Sequence, residues 1–259
     1  MERLLVDVLL DVDGPVAVVT LNRPAKLNAI TPDMAAALRA CLSRVDADPE
    51  LRVAVLTGAG ERSFCVGSDI RELDEYATPW EFRNRGDYGD AVRALRKPII
   101  AAVNGYAYGG GLELAMACDI RLAAETATFA APEIKLGWIG GSGQSALLAH
   151  AVGPGNAATM LLTGDPVDAA RAREWGLVTD VHPQEELMKA ARTLAETIAK
   201  RPPIAAQTAK ANLRAAYSMP LDQAIQYERD LQTVCFATAD AAEGRAAFAE
   251  RRDPVFEGR

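Results

Sequence analysis

Cysteine and histidine are scarce in this chain of 259 residues, which contains 4 cysteines and 2 histidines. No two cysteines stand at the Cys-x-x-Cys spacing of a structural zinc site, so we do not expect a zinc-stabilised fold. Widely scattered cysteines favour reduced thiols and predict a cytoplasmic protein. The residues concerned are Cys41, Cys65, Cys118 and Cys235, with His150 and His182.

An excess of basic residues and a long hydrophobic run are also missing. The formal net charge of -7 argues against nucleic acid as a partner, because such binding usually depends on a clustered basic face. The most apolar stretch, residues 99–118, contains Asn104, Glu113 and several glycines, and is therefore not predicted to span a membrane. The first residues, which soon include Asp7, do not fit a secretory signal. We expect a globular protein without a membrane partner.

Short β-branched runs alternate with helix-like segments over most of the chain. Residues 53–57 and 99–103 are typical of such runs. Thr31, followed by a proline, predicts the start of a helix over 33–45 whose apolar residues recur at helical spacing. After about residue 183 the pattern is helical throughout. This order predicts an α/β body followed by a helical C-terminal region.

The first chemical signal is a strand-like run that leads into glycines 109–111 and then into an apolar helix. Glycine lets a ligand approach the backbone closely, and the free amides of a first helical turn favour a developing negative charge. Glu113 stands in this helix without a basic neighbour in the next turn, and burial would raise the pKa of its carboxyl. Glu113 is therefore a candidate catalytic group. The alternative is a surface glutamate that complements the helix dipole.

A second carboxylate, Glu133, follows Pro132 one strand later, where a turned or extended chain can aim it at a cleft. Two carboxylates that share a site are suited to act as general acid and general base, because their environments push the two pKa values apart. The alternative is a solvated loop glutamate with Lys135 as its ion partner.

A third signal is the glycine turn at Gly67 and Ser68. One interpretation is a tight turn in which Ser68 or Asp69 caps the next helix. The other is a second anion-binding amide, that of Ser68, opposite the amide of Gly110. Arg71 would then lie near a phosphate or an adenine.

Together and in this order, these segments resemble the enoyl-CoA hydratase (crotonase) family. The resemblance spans nearly the whole chain, and although each motif is weak alone, the ordered set is specific. Further motifs that carry it are Asn-Arg-Pro-Ala-Lys-Leu-Asn-Ala at 22–29, Lys-Pro-Ile-Ile-Ala-Ala-Val-Asn-Gly at 97–105, Leu-Thr-Gly at 162–164, Gly-Leu-Val at 176–178, and Phe248 with Pro-Val-Phe at 254–256.

The resemblance implies an α/β fold, a spiral of ββα units over residues 1–195, with a C-terminal α-helical trimerisation region over 196–259. It implies a homotrimer or homohexamer that acts on acyl-CoA substrates without a metal or redox cofactor. The implied reaction is the reversible syn-addition of water to a 2-enoyl-CoA, in which backbone amides polarise the thioester carbonyl.

Matched position by position, the resemblance makes the amides of Ser68 and Gly110 the oxyanion hole. Glu113 would activate water for attack at C3, and Glu133 would protonate C2. The residues implied for substrate or CoA binding are Lys26, Ser68, Asp69, Ile70, Arg71, Gly110 and Gly141.

The chain departs from the family's usual pattern between the second glutamate and the next helix. Where many hydratases have proline and glycine, this chain has Gly140 and Gln144, although Gly141 is kept. Trp138 adds bulk where the acyl chain is expected. We predict an altered acyl pocket, to which residues 76–82 would also contribute.

Other functions stand beside hydration. Within the family, they are isomerisation of a double bond or decarboxylation of an acyl-CoA. Residues 153–158 formally fit the Gly-x-Gly-x-x-Ala of a dinucleotide-binding dehydrogenase, but they follow a helix-like stretch and not a strand. A serine hydrolase is poorly supported, because Gln144 replaces the last glycine of Gly-x-Ser-x-Gly around Ser142. A non-catalytic oligomeric scaffold is a further alternative.

Overall fold

Two β-sheets organise the part of the chain that the computed structural model describes, residues 7–73 and 76–259. Their strands, in chain order, are β1 (Val8–Asp13), β2 (Val16–Leu21), β3 (Val53–Gly58), β4 (Ser63–Cys65), β5 (Ile99–Val103), β6 (Tyr106–Tyr108), β7 (Ile120–Ala124), β8 (Thr128–Ala130), β9 (Val167–Asp168) and β10 (Asp180–His182).

Helices follow these strands and cover the C-terminal part. They are α1 (Pro32–Ala47), α2 (Ile70–Leu73), α3 (Pro79–Arg83), α4 (Tyr88–Ala94), α5 (Gly110–Ala117), α6 (Gln144–Thr163), α7 (Ala169–Glu174), α8 (Leu187–Ala199), α9 (Pro203–Ala215), α10 (Leu221–Phe236) and α11 (Ala239–Glu250), with 3-10 helices at Pro24–Lys26 and Pro132–Leu136.

The strand order reveals a repeated ββα unit. The larger sheet has six strands in the order β1-β2-β3-β5-β7-β10, and the smaller has four in the order β4-β6-β8-β9. In each successive unit the first strand (β3, β5 or β7) joins the larger sheet and the second (β4, β6 or β8) joins the smaller. Within each sheet these strands run parallel to one another. The predicted spiral of ββα units is confirmed.

The core lies along β3 and β5, in which every residue is buried. Strands of a parallel sheet that are covered on both faces carry nearly continuous hydrophobic side chains, which explains the β-branched runs of the sequence. Parallel pairing places Val55 beside Ile100, and Ile100 beside Ile120. Helix α8 packs across the larger sheet and covers one of its faces.

Helix α1 begins as the sequence predicts. The Thr31 hydroxyl accepts a hydrogen bond from the amide of Met34 at 3.2 Å, and Pro32 occupies the first helical position. Met34 and Leu38 are buried on the face that packs against the core. The cap and the spacing of the apolar residues therefore specify this helix locally.

Two buried asparagines of the family motifs fasten the loops between strands. The side-chain amide of Asn104 donates to the carbonyl oxygens of Gly58 (2.8 Å) and Gly60 (2.6 Å), while Gly58 donates back to its side-chain oxygen at 3.2 Å. Asn28 donates to the carbonyl oxygen of Ser63 at 2.8 Å. These contacts hold the loop that leads into β4, and with it the turn that follows β4.

The C-terminal region is helical, as predicted, and its tail is held against the body. Arg52 donates to the carbonyl oxygen of Phe256 at 2.6 Å. The carboxylate of Asp240 accepts the amides of Glu257 (2.7 Å) and Gly258 (2.9 Å). The expected boundary after residue 195 falls inside α8, and the division of the chain into two units stays a prediction.

The helices also bear on two expectations from the sequence, the one about a membrane span and the one about a dinucleotide-binding segment. Within residues 7–73 and 76–259, none of them is long and apolar enough to cross a membrane. The segment 153–158 lies inside α6, where Gly153, at φ +75°, and Pro154 kink the helix. A dinucleotide-binding fingerprint needs a strand before its first glycine, so this segment does not form one.

Candidate active site

Parallel pairing of β4 with β6 brings two glycine turns to the same edge of the smaller sheet. The chain leaves β4 at Gly67 and Ser68, and it leaves β6 at Gly109 and Gly110. A side chain on Gly67 would place its Cβ 2.8 Å from the amide nitrogen of Gly110. The two predicted turns therefore touch, although 42 residues lie between Gly67 and Gly110 in the sequence.

Glycine is required on both sides of this contact. Gly67 has φ +90°, and Gly109 has φ +55° with ψ −124°, conformations that residues with a side chain rarely adopt. A Cβ on Gly111 would collide with the carbonyl oxygen of Cys65. These constraints let the start of α5 lie directly on the end of β4.

The close approach brings together two backbone donors that have no acceptor among the described residues. We call the N–H groups of Ser68 and Gly110 the amide pair. Within the described part of the chain neither donates to an acceptor, although the neighbouring amides of Asp69 and Gly109 bond to Ile30 (2.8 Å) and Ala130 (3.0 Å). Gly110 is the first residue of α5, whose first-turn amides have no partner inside the helix. Both members of the amide pair are therefore candidate donors for an oxygen of a ligand.

Glu113 lies one turn into α5 and is 4% exposed. Its carboxylate accepts the amides of Ser142 (2.7 Å) and Gln144 (3.3 Å) through one oxygen. Burial raises the pKa of Glu113 to about 7, the hydrogen bond from Ser142 opposes that shift, and the charges of Glu133 and Asp87 add to it. The surface alternative for Glu113 is wrong.

The carboxylate of Glu133 lies next to Gly109, in the glycine turn that precedes α5. It lies in the 3-10 helix that follows β8, and a Cβ on Gly109 would be 2.8 Å from one of its carboxylate oxygens. The side-chain amide of Gln144 donates to both of these oxygens at 3.0 Å. Lys135 instead pairs with Asp165 at 2.6 Å, so the expected alternative of a Glu133–Lys135 ion pair is wrong.

Glu113 and Glu133 thus share one neighbour, and the charge of Glu133 contributes to the raised pKa of Glu113. We call them the acid pair. Gln144 contacts the first through its backbone and the second through its side chain. The amide pair and the acid pair surround the same turn at the start of α5. The contacts of Glu133 with Gly109 and of both glutamates with Gln144 thus place the acid pair beside the start of α5.

Residues 11–259 match the family described as enoyl-CoA hydratase/isomerase. The chain belongs to this family. The (E)-benzylidenesuccinyl-CoA hydratase of Thauera aromatica is 42% identical over 97% of this chain and 99% of its own length. The short-chain-enoyl-CoA hydratase of Clostridium acetobutylicum is 39% identical over 95% of each. The crystal structure of an enoyl-CoA hydratase from Bacillus anthracis is 34% identical, covers 98% of this chain and 100% of that one, and gives a TM-score of 0.93.

The segments expected to bind CoA in this hydratase/isomerase family member lie around the amide pair. A parallel bridge joins Ile30 to Ser68, so the segment that contains Lys26 runs beside the Ser68 turn. Lys26 and Arg71 are exposed, and neither has a carboxylate partner within 4.0 Å among the residues described. Asp69 pairs with Arg23 at 3.4 Å.

The two other residues expected at the CoA site are at the surface. Ile70 is 52% exposed and begins α2. Gly141 is exposed, and a Cβ there would lie 3.4 Å from a guanidinium nitrogen of Arg85.

Two further residues that the sequence does not single out as site residues contact the candidate site. Tyr88 is buried, its hydroxyl lies 3.1 Å from the Ser68 hydroxyl, and a Cβ on Gly110 would collide with it. Gln144 was noted only as a departure from the family pattern. No motif in the sequence marks Tyr88. The departures from the family pattern at Gly140 and Gln144, in contrast, indicate a change in this part of the candidate site.

A cavity of about 120 Å³ opens beside Ser68. Tyr76 and Tyr88 line it, so part of the 76–82 segment expected to shape the acyl pocket reaches the site. Arg39 and Arg85 also line it, together with Glu72. Trp138, expected near the acyl chain, is 42% exposed.

The geometry does not fit a serine hydrolase. The hydroxyl of Ser142 lies 2.5 Å from a carboxylate oxygen of Asp87, which caps α4. A nucleophilic serine needs an adjacent base, usually histidine. His150 packs on Tyr217, and His182 lies 3.8 Å from Asp180. Ser142 instead contributes its amide to Glu113.

Proposed function

We propose that this chain is an enoyl-CoA hydratase that catalyses the reversible syn-addition of water to a 2-enoyl-CoA. The observation that carries the proposal is the meeting of the amide pair with the acid pair around the first turn of α5. Free donors for a thioester carbonyl and two carboxyl groups are the parts that this reaction needs. The activities named for the relatives support the same reaction class.

The thioester carbonyl oxygen accepts the N–H groups of Ser68 and Gly110. Negative charge moves onto that oxygen as water attacks C3, and donors already in place stabilise it. Loss of one such donor typically costs about 2.7–4 kcal/mol of transition-state stabilisation. The start of α5 adds the favourable end of a helix dipole.

The acid pair moves the protons that accompany this attack. Glu113, as carboxylate, removes a proton from water while the water oxygen bonds to C3. Glu133, as carboxylic acid, gives its proton to C2. The net change is H on C2 and OH on C3, and the roles reverse for dehydration. A base with a pKa of about 7, as for Glu113, is well matched to catalysis near neutral pH.

The proposal extends to the rest of the substrate. Lys26 and Arg71 are exposed cations on the two segments that meet at the Ile30–Ser68 bridge and would attract the phosphates of CoA. The cavity beside Ser68 would take the acyl group. The proposed steps use groups of the chain and of the substrate, so we propose no metal or redox cofactor.

Assembly and location belong to the same proposal. The C-terminal helices expose large apolar side chains, such as Leu213 on α9, Leu221 on α10 and Phe248 on α11. Surfaces of this kind usually mark protein interfaces, which supports a homotrimer or homohexamer. The four cysteines are free thiols, which supports a cytoplasmic location. Analytical ultracentrifugation of the purified chain would give the oligomeric state.

The test of the proposed reaction is a hydration assay with crotonyl-CoA and longer 2-enoyl-CoA thioesters. Hydration removes the conjugated double bond, so its ultraviolet absorbance should fall on addition of the protein. Glu125→Gln, which changes an exposed glutamate far from the acid pair, is the matched control for glutamate variants. Absence of hydration with every chain length, together with clear double-bond isomerisation, would overturn the proposal in favour of an isomerase.

A further inference from the structure

Gln144 is the residue that joins the two members of the acid pair. It is 2% exposed and is the first residue of α6. Its backbone amide donates to Glu113, and its side-chain amide donates to both carboxylate oxygens of Glu133. Within the described residues, the Glu133 carboxylate has no other hydrogen-bond donor, because Lys135 pairs with Asp165. The orientation of Glu133 therefore depends on Gln144.

The two departures from the family pattern are physically coupled. A Cβ on Gly140 would lie 2.6 Å from Cβ, Cδ and Oε1 of Gln144. Real Cβ atoms do not approach other atoms so closely, and the first of these atoms is fixed to the backbone. The glutamine side chain fits only because residue 140 has no side chain. With the backbone and the glutamine side chain placed as they are, a side chain at 140 would collide with Gln144.

We propose that Gln144 is a positioning residue for hydration, which orients Glu133 and stabilises the negative charge that forms on it. This inference rests on the proposed function. As Glu133 gives its proton to C2, its carboxyl becomes a carboxylate, and the side-chain amide of Gln144 already points at both oxygens. Hydrogen bonds to a charged acceptor are about twice as strong as those between neutral groups, so this donor acts most in the transition state.

The first experiment replaces Gln144 with methionine, which has a similar length and no N–H donor. With a 2-enoyl-CoA substrate we expect kcat to fall by about 10- to 100-fold while KM changes by less than about threefold. Gln223→Met, at an exposed glutamine, is the matched control and should behave as wild type. An unchanged kcat, or a loss that appears only in KM, would contradict the positioning role.

A double-mutant cycle shows whether Gln144 acts through Glu133. In the Glu133→Gln background, the carboxylate that Gln144 stabilises is gone, so Gln144→Met should cost less than about threefold in residual kcat. Full additivity of the two losses would mean that Gln144 acts elsewhere. If wild type itself hydrates no enoyl-CoA, the proposed function has failed. If wild type is active and the cycle is additive, only the inference about Gln144 has failed.

The second experiment tests the coupling between positions 140 and 144 without using activity. Gly140→Ala should lower the unfolding temperature in the wild-type background and have little effect in the Gln144→Gly background. Gly155→Ala is the matched control, because a Cβ there meets no atom within 4 Å. Equal effects of Gly140→Ala in both backgrounds would show that the two positions are independent.

Discussion

The amide pair is built from backbone, whereas the acid pair is held by side chains and by a loop distant in sequence. Ser68 and Gly110 offer N–H groups that any residue other than proline also has, and glycine at the neighbouring positions allows their approach. Glu113 and Glu133 instead depend on Gln144 and on its partner, Gly140. The amide pair thus needs only enough space around its donor residues, which at Gly110 excludes a side chain. The acid pair depends on particular side-chain groups of its neighbours.

The difference also explains where the chain departs from its family. A donor supplied by the backbone does not depend on a functional group of the side chain, so substitution there is constrained mainly by space. Different side chains can surround a carboxylate, provided that together they still fit the available volume. Residues 140 and 144 show such an exchange, in which one side chain is lost and another is gained.

The largest effect is expected at the acid pair. Glu113→Gln removes the proposed base and should lower kcat for hydration by about 1,000-fold, within the range typical of a lost general base. Steady-state hydration of crotonyl-CoA measures this effect, with Glu125→Gln as control. Near wild-type turnover in both Glu113→Gln and Glu133→Gln would show that the acid pair is structural and is not part of the catalytic site.

A smaller but still large effect is expected when the amide pair is blocked. A Cβ at Gly110 would collide with the Tyr88 hydroxyl and lie 3.2 Å from the Cα of Gly67. Gly110→Ala should therefore lower kcat/KM by about 100- to 1,000-fold, the range seen on loss of an oxyanion-hole donor. Gly155→Ala controls for the substitution itself. If both variants retain the wild-type kcat/KM, the carbonyl does not bind at this turn.

The pH dependence should report the buried member of the acid pair. Because Glu113 has a pKa raised to about 7 and must be ionised to accept a proton, kcat/KM should fall about tenfold per pH unit below pH 7. A pH series with crotonyl-CoA measures this limb. An acid limb centred near the ordinary pKa of glutamate, about 4.3, would assign the base to another group.

Burial of Glu113 should also cost stability once it ionises. Its pKa is about 7 in the folded chain against 4.5 as reference, so the native state binds more protons between these values and stability falls as pH rises through them. Glu113→Gln should raise the free energy of unfolding by about 3 kcal/mol at pH 8.

At pH 5 this gain should be nearly absent, since Glu113 is already protonated in the native state. Denaturant titration at both pH values measures it. An equal gain at pH 5 and pH 8 would show that ionisation is not its cause.

The smallest effect is expected for Ser68→Ala, which distinguishes the role of the Ser68 backbone from that of its side chain. Ser68→Ala leaves the backbone N–H in place and removes a hydroxyl that contacts Tyr88 at 3.1 Å. We expect hydration kinetics within about threefold of wild type, in line with the modest net value of a single neutral hydrogen bond. A loss of kcat comparable to that of Gly110→Ala would mean that the Ser68 side chain takes part in the chemistry.

Local signals in the sequence predict an α/β body with a helical C-terminal region, whereas the spiral of ββα units follows only from the family resemblance. Helix α1 follows from a cap, a proline and the spacing of its apolar residues. The turns at Gly67 and Gly109 follow from strands that end in glycine, since parallel strands bring such ends to one edge. The family motifs that contain Asn28 and Asn104 proved structural, because both side chains fasten loops.

The partners of the acid pair could not be predicted in the same way. Glu113 accepts backbone amides from the loop after β8, two strands further along the chain. Glu133 forms no ion pair with its sequence neighbour Lys135, which pairs with Asp165. Such contacts depend on tertiary packing, which local pattern does not describe. The coupling of Gly140 with Gln144 likewise becomes visible only as a distance between atoms.

The most direct test of the account is a crystal structure of the protein with a bound 3-hydroxyacyl-CoA. We expect the thioester oxygen to lie about 2.7–3.1 Å from both amide nitrogens of the amide pair, with C2 and C3 between Glu113 and Glu133. A thioester oxygen that contacts neither Ser68 nor Gly110, in an otherwise ordered complex, would contradict the central claim.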